Sequence, residues 1–386
     1  QLLRFLQNHK GNSGIVYCLS RRKVEETAEW LNAQGIYALP YHAGMDAAVK
    51  ARNQDAFLRE ENLCLVATVA FGMGIDKPDV RFVAHLDLPS SVEAYYQETG
   101  RAGRDGLPSE AWMAYGLQDV VQRRRMIDEG GSEDTIKRVE RSKLDALLGI
   151  CETAECRRAA ILRHFGEAHS GGCGNCDTCL SPVETWDGTD AATKLLAAVY
   201  RTGERFGLAY VIDVLTGKTS DKVRQSGHDK IPVFGAGSDV DQRTWNSVAR
   251  QLTALNLLLV DHQSYGALYL AEGAREVFRG ERRVTLRKDR SRKATQFRRT
   301  ASAVEGLDEE GAVVFETLRR LRAKLSREQG LPAYMVFSDA TLRAMADLRP
   351  SSRKAFSAVP GVGQAKLERY GDLFLDALRE AERHLN

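Results

Sequence analysis

The 386 residues, 43% hydrophobic and 28% charged, are too many for one ordinary core and apolar enough to fill two or three. No apolar run approaches the roughly eighteen residues of a membrane span, and the opening QLLRFLQNHKGNSG lacks the order of a signal peptide, so a cytoplasmic protein without membrane contact is expected. A net charge of +3 is too small to argue for nucleic acid by itself, so the distribution of charge must carry that question.

The first 122 residues alternate strand and helix. The runs SGIVYCLS, NLCLVATVA and VRFVAHLDLP read as buried strands, and RKVEETAEWLNAQG and SSVEAYYQETGRAG as helices. That alternation predicts a parallel α/β sheet whose functional loops gather beyond the carboxyl ends of its strands. YHAGM, TVAFGMGID and QETGRAGRDG are expected there. Gly72, Gly74, Gly100 and Gly103 permit close backbone approach, and Arg101 and Arg104 offer planar, permanently charged forks suited to a nucleoside triphosphate. The alternative is a plain turn with two surface ion pairs. Cys18 and Cys64 fall inside strand runs and read as buried thiols.

From 123 to 186 the pattern is helical and carries CRRAAILRHFGEAHSGGCGNCDTC. Closely spaced thiolates on a Gly-rich loop close around one cation, with a fourth from the preceding helix, so Cys156, Cys173, Cys176 and Cys179 predict a tetrahedral Zn2+ site. Cys151, His164 and His169 are near enough to replace a ligand. A cytoplasmic chain argues against disulfides, and an iron–sulfur run would continue to a nearby Cys-Pro that is absent. Four protein ligands leave no position for substrate, which makes the metal structural.

Residues 187–280 read as three helices followed by a hairpin, the pattern of a winged helix. Ala192, Leu195, Leu196 and Val199 mark the first helix, LAYVIDVLTG the second, and Trp245, Val248, Leu252 and Leu255 the third. Lys222, Arg224, His228 and Lys230 are candidate phosphate contacts or plain surface charge, and the hairpin tip offers His262 and Tyr265 for stacking. Between Arg279 and Arg299 ten basic residues face two acids, and 281–304 reads as a basic tether that also touches a phosphate backbone. From 305 to 386, Val314, Leu318, Leu321 and Leu325 share one helix face. Further on, Gly361 and Gly363 either cap helices or present amides to a phosphate.

GIVYCLSRRKVEETAEWL, YHAGM, VATVAFGMGIDKPDVRFVAHLDLP and YYQETGRAGRDG resemble motifs IV, V and VI of superfamily-two helicases, in the form found in RecQ DNA helicases. The resemblance continues through the cysteines, RFGLAYVIDVLTG and GHDKIPVFGAG to a terminal module similar to the HRDC domain, and covers essentially the whole chain. It implies a multidomain α/β plus α protein. Its parts are a second RecA-like lobe (1–122), a helical zinc-binding subdomain (123–186), a winged helix (187–280), a linker (281–304) and an HRDC-like helical bundle (305–386). By the same resemblance, Arg104 is the arginine finger for the γ-phosphate of ATP, with Arg101 beside it, Gly74 and Asp76 at the nucleotide, and Gln97 coupling it to the cleft. Ser20, His42, Thr68 and Gly72 would track a nucleic-acid strand. Tyr334, Arg353 and Lys366 would touch single strands, and the winged helix would hold a duplex/single-strand DNA junction and meet the tail of single-strand DNA-binding protein.

The implied activity is ATP-dependent 3′–5′ DNA unwinding in repair and recombination, by a monomer. Such a motor needs a GxxxxGK[ST] loop and an acidic box for Mg2+. The nearest match, IDVLTGKT from Ile212 to Thr219, has isoleucine in place of the first glycine and reads as a decoy. A lobe bearing both motifs is therefore expected before Gln1, sharing ATP and Mg2+ with this one, and the chain alone is expected not to hydrolyse ATP. The competing reading is a non-catalytic zinc-containing winged-helix DNA-binding protein, which leaves the intact GRAGR without a purpose.

Overall fold

Five short strands, β1 (Ser13–Tyr17), β2 (Ala38–Tyr41), β3 (Cys64–Ala67), β4 (Val80–His85) and β5 (Glu110–Met113), form one parallel sheet in the order β2-β3-β1-β4-β5. The computed structural model describes residues 1–68, 76–261, 266–288 and 306–385. Central β1 is buried at every position, as a parallel strand covered on both faces must be. On one face Val16 and Phe82 meet Val24, Ala28 and Leu31 of the helix Arg21–Ala33; on the other, Ile15 and Val83 meet Phe57 of the helix Ala47–Arg59. Gly14 is needed in β1 because the Phe82 ring lies 2.2 Å from where a Cβ would stand.

The same compact unit, made of Gln1–Leu88, Tyr96–Ala114 and the described part of 298–386, includes a helical bundle. Helices Glu309–Gln329, Ala333–Val336, Asp339–Leu348, Arg353–Ser357 and Gln364–Leu385 pack around Val314, Phe315, Leu318, Phe337, Phe356 and Phe374. Leu325 is buried with them, and Leu321 packs at their edge.

A second unit comprises Pro89–Tyr95 and the described part of 115–297. Helices Leu117–Glu129, Asp134–Glu152 and Arg157–His164 come first, followed by Thr189–Arg201, Leu208–Leu215 and Gln242–Ala254. Strands β6 (Thr185–Asp187), β7 (Leu258–Asp261), β8 (Ala267–Leu270) and β9 (Thr285–Arg287) make two antiparallel pairs, β6 with β9 and β7 with β8. Leu195, Leu196, Val211, Ile212, Trp245, Val248 and Leu252 share the core, and the Trp245 indole donates to the Gly237 carbonyl at 3.1 Å.

Two expectations change here. Leu255 is 38% exposed at the C-cap of its helix, and the buried stripe runs through Ala249 instead. Thr285–Arg287, expected in the tether, is a strand whose Leu286 packs so closely over Gly188 that a Cβ there would fall 2.4 Å away. The remaining tether, 289–305, and the hairpin tip with His262 and Tyr265 lie outside the described residues. IDVLTGKT is confirmed as no phosphate loop: its first part belongs to the helix Leu208–Leu215, and Gly217 turns the chain at φ +72° against Gly235. No helix among the described residues is long and apolar enough to cross a membrane.

Candidate functional site

The GRAGR stretch is anchored along the sheet and not only at its carboxyl edge. Glu98 bonds His85 at the end of β4 (2.7 Å), whereas the Gly103 amide donates to Val80 at the start of β4 (2.9 Å). The expectation that all of it lies beyond the carboxyl ends is therefore corrected: the segment runs down β4. Gly103 takes φ +69° with Ser109 Oγ only 2.6 Å from its would-be Cβ, so both dihedral and space require glycine. Arg81, buried on β4, places Nη2 2.6 and 2.7 Å from the two oxygens of Asp105 and also donates to the Pro78 and Pro108 carbonyls. Asp105 in turn accepts from the Leu107 amide at 3.1 Å. Burial pushes the Asp105 carboxyl above its ordinary value, against the opposing pull of Arg81.

Of the two arginines on this loop, Arg104 is the exposed one. Its Nη1 lies 2.8 Å from Asp76 Oδ1, with side-chain exposures of 38% and 86%. An ion pair so open to water is worth under about 1 kcal/mol, so the guanidinium exchanges this carboxylate for another anion at little cost. Arg101 is half-buried beside Tyr17, whose hydroxyl is pushed well above its ordinary value by burial, Arg101 opposing. Tyr17 stacks on His85 at 5.2 Å, and Gln97 is exposed on the preceding helical turn. Gly72 and Gly74 lie outside the described residues.

Of the strand-tracking candidates, Ser20 is exposed and caps the helix Arg21–Ala33 by accepting from the Lys23 amide at 3.2 Å. His42 is only 3% exposed: Nε2 lies 3.0 Å from Glu25, and Nδ1 accepts from the Gly44 amide, so its ring shapes the YHAGM loop. Thr68 is half-buried, its amide bonded to the Tyr41 carbonyl. In the bundle, Tyr334 is half-buried and its hydroxyl is raised by burial and by Asp76 and Asp79 nearby. Lys366 lies 5.4 Å over the Phe337 ring with burial lowering its ammonium, and Arg353 grips both oxygens of Asp372. Gly361 abuts Thr341, 2.1 Å from a would-be Cβ, and the Gly363 carbonyl accepts from Leu367, which favours capping over anion binding.

The thiols of Cys156, Cys173, Cys176 and Cys179 all lie within 4.8 Å of one another, with Cys173–Cys179 and Cys156–Cys176 at 3.9 Å. Four sulfurs around an ion at about 2.3 Å form a tetrahedron with edges of about 3.8 Å, so the donor set fits zinc. The Asn175 and Cys176 amides point at Cys173 Sγ, as they do toward thiolates. Arg157 ties this loop to the preceding helix, donating to Asp177 at 3.1 Å and to the Ile150 and Cys151 carbonyls. The three spare ligands are engaged otherwise: Cys151 is buried with its thiol pushed up to about 12 by burial, His164 pairs with Glu93, and His169 accepts from Gly171.

In the second unit Lys222, Arg224 and Lys230 are exposed. Lys222 sits 5.4 and 5.6 Å over the stacked rings of Phe206 and Tyr210. His228 is 7% exposed, bonds the Tyr210 hydroxyl at 2.8 Å, and is kept below its ordinary value by burial and by Arg205. It therefore props the rings from within and does not face solvent with the lysines. Elsewhere on this unit Tyr200, Arg201, Arg275 and Phe278 line a groove of about 810 Å³.

Four family models match this chain in order: Helicase conserved C-terminal domain over 1–106, RecQ zinc-binding over 117–180, RQC domain over 182–295 and HRDC domain over 312–378. The protein called ATP-dependent DNA helicase RecQ in Pasteurella multocida is 40% identical over 390 residues, 100% of this chain and 61% of that one. The chain belongs to the RecQ family. RecQ of Haemophilus influenzae is 41% identical over 98% of this chain, and that of Bacillus subtilis 33% over 97%, each again matched over 61% of its own length. This RecQ chain thus spans about three fifths of those relatives. Among solved structures, D. radiodurans RecQ HRDC domain 3 is 40% identical, covering 18% of this chain and 92% of that one, at a TM-score of 0.18.

Motif reading of the RecQ chain passed over the residues that hold its sites in place. Arg81 and Asp105 look like ordinary charges in sequence, and only the fold buries them together. Glu152, 5% exposed, meets Arg250 and Arg287, drawing together the helix Asp134–Glu152, the third winged-helix helix and β9. Phe206 and Tyr210 are legible in sequence only as apolar residues near a helix start, although two aromatics four positions apart and upstream of Lys222, Arg224 and Lys230 are a findable signal.

Proposed function

We propose that this RecQ chain is the second motor lobe and DNA platform of an ATP-dependent DNA helicase that moves 3′ to 5′ and acts in DNA repair and recombination. The observation that carries the reading is Arg104: an exposed guanidinium, weakly paired with Asp76, on a loop otherwise locked by Arg81, Asp105 and Gly103. Such a group is preorganised for charge that develops on a transferring phosphoryl group. On this reading Arg104 leaves Asp76 for a γ-phosphate oxygen as the motor lobes close, with Arg101 and Gln97 alongside. Turnover needs a partner lobe that cradles the phosphates and Mg2+, because an arginine finger stabilises the transition state and does not hold the nucleotide.

The four cysteines would hold one structural Zn2+ and no substrate, keeping the loop 173–179 folded against the helix Asp134–Glu152 through Arg157. Lys222, which lies over the Phe206–Tyr210 stack, and the exposed Arg224 and Lys230 would take phosphates of duplex DNA next to a single-strand junction. The groove, flanked by Tyr200 at 60% and Phe278 at 41% exposure and lined by Arg201 and Arg275 together with Glu204 and Glu272, offers apolar surface and two guanidinium groups to a peptide end, and we assign it to the tail of single-strand DNA-binding protein. Loss of that binding in Arg201→Ala at low salt is expected, and unchanged binding would remove the assignment.

The main test is ATP hydrolysis by the protein containing this chain together with its phosphate-cradling lobe, with and without a 3′-tailed duplex, as parent and as Arg104→Ala. The expected loss in kcat is about a thousandfold or more with DNA affinity retained. Equal turnover in the two proteins would sink the motor assignment and favour a non-catalytic zinc-containing DNA-binding protein.

A further inference from the structure

The helical bundle meets the sheet through a charge network centred on Glu61, next to the point where Leu107 of the arginine loop packs on the bundle. Glu61, at the turn before β3, accepts from Arg319 Nε and Arg322 Nε, both at 2.9 Å. Arg322 is 1% exposed, and its remaining nitrogens reach the Phe337 carbonyl and Asp339 Oδ1, each at 2.7 Å. Arg319 also donates to the Gly11 carbonyl, and Arg59 donates to the Gly330 carbonyl at 2.6 Å. Beside these contacts Leu107, two residues after Asp105, packs against the apolar core of the bundle.

The electrostatics agree with this geometry. Asp339 is close enough to Asp105 to add to the upward push that burial gives that carboxyl. Arg81, which grips Asp105, also helps Arg322 hold Asp339 below its ordinary value against the effect of burial. Tyr334 of the bundle feels Asp76, the carboxylate paired with Arg104. Three residues that shape the arginine loop, Asp76, Asp105 and Leu107, are therefore all within reach of the bundle.

The chemistry of the contact says how permanent it is. Apart from Leu107, both surfaces are mostly charged or polar: if they part, Glu61, Arg319 and Arg59 regain water, and Arg322 keeps Asp339 and the Phe337 carbonyl within the bundle. Contacts of this kind resemble reversible domain interfaces and not a shared core.

We propose that the C-terminal bundle is a releasable brace for the arginine loop: docked through Glu61 and Leu107 it adds to the hold that Arg81 and Gly103 have on residues 100–108, and on release that loop gains freedom. The inference does not depend on which anion the arginines take.

Hydrogen–deuterium exchange on the full chain tests it, with Glu61→Gln on the sheet side and Arg319→Gln on the bundle side. Neither change removes a residue of the loop or of the bundle's apolar core, and Arg322 keeps Asp339 and the Phe337 carbonyl in both. In both variants, amides of 100–108 are expected to exchange about tenfold faster or more, while β1 and the buried face of Glu309–Gln329 stay protected. A purely local defect would affect only 56–66 or 315–323 and leave the loop unchanged, and that result overturns the proposal. So does release of the bundle, seen as new exchange at its docking face, without faster exchange at 100–108. Glu61→Asp keeps the charge and is expected to retain most of the loop's protection; a loss equal to that of Glu61→Gln would also overturn it.

Discussion

The Arg81 guanidinium lies 2.6 and 2.7 Å from the two carboxylate oxygens of Asp105, and neither side chain is more than 2% exposed. One residue comes from a strand, the other from the loop that presents Arg101 and Arg104, so the pair converts the rigidity of the sheet into the position of the loop. Removing one partner leaves the other charge buried alone. Arg81→Ala is therefore expected to destabilise the sheet-bearing unit by about 3–5 kcal/mol in urea unfolding. The double change with Asp105→Ala should cost less than Arg81→Ala alone, and strict additivity would show that the two do not act as a pair.

Arg104 should behave in the opposite way. Its ion pair with Asp76 is open to solvent, so Arg104→Ala is expected to change stability by no more than about 0.5 kcal/mol. A large loss of stability in the same urea experiment would make Arg104 a structural residue and weaken its assignment to the γ-phosphate. The contrast between Arg81 and Arg104, one buried and one exposed in the same loop system, is the signature expected of an anchored site.

Much of this architecture was legible in the sequence because long motifs and strong periodicity carry it. SGIVYCLS, the cysteine spacing and the stripe from Val314 to Leu325 each predict their own surroundings. The strands β2 and β5 were missed because ALPY and EAWM are four residues long, too short for alternation to show, and one contains proline. β9 was hidden inside a basic run: Arg287 and Lys288 look like tether charges until Glu152 and Glu184 are brought beside them by the fold. His42 and His228 look like surface groups in sequence for a similar reason, since burial is a tertiary property that residue type does not reveal. Likewise nothing local in EENL or in RRLRAK announces that Glu61, Arg319 and Arg322 meet, more than 250 residues apart in the chain.

The metal reading orders the seven cysteines by reactivity. With zinc bound, none should react quickly with a thiol reagent at pH 7: four are ligands, and Cys18, Cys64 and Cys151 are buried, with burial pushing the Cys18 and Cys151 thiols up to about 12. Chelation should expose Cys156, Cys173, Cys176 and Cys179 first. Cys151 should follow, because Arg157 clamps its carbonyl to the metal loop, whereas Cys18 and Cys64, in the other unit, should stay silent. Peptide mapping of the labelled chain reads this order, and early labelling of Cys18 would mean that the metal supports more than its own region.

Asp339 gives the bundle a defined response to acid. Burial alone would raise its carboxyl, but Arg322, with Arg81 and Arg319, holds it below the ordinary value. The unfolded chain therefore takes up this proton first as pH falls. The contribution of Asp339 to stability is full above about pH 4 and drains away as pH drops through the lower folded value. At pH 7 Asp339→Asn should be less stable than the parent by about 1.5–3 kcal/mol, because Arg322 loses one of its two carboxylate partners and keeps Glu61. Unfolding of both proteins at pH 7 and near pH 3, followed by exchange in Glu309–Gln329, should show that gap shrinking in acid as the parent's own carboxyl protonates. A gap of constant size would mean that Asp339 titrates alike in the folded and unfolded chains, and that Arg322 is held in the bundle by its other contacts.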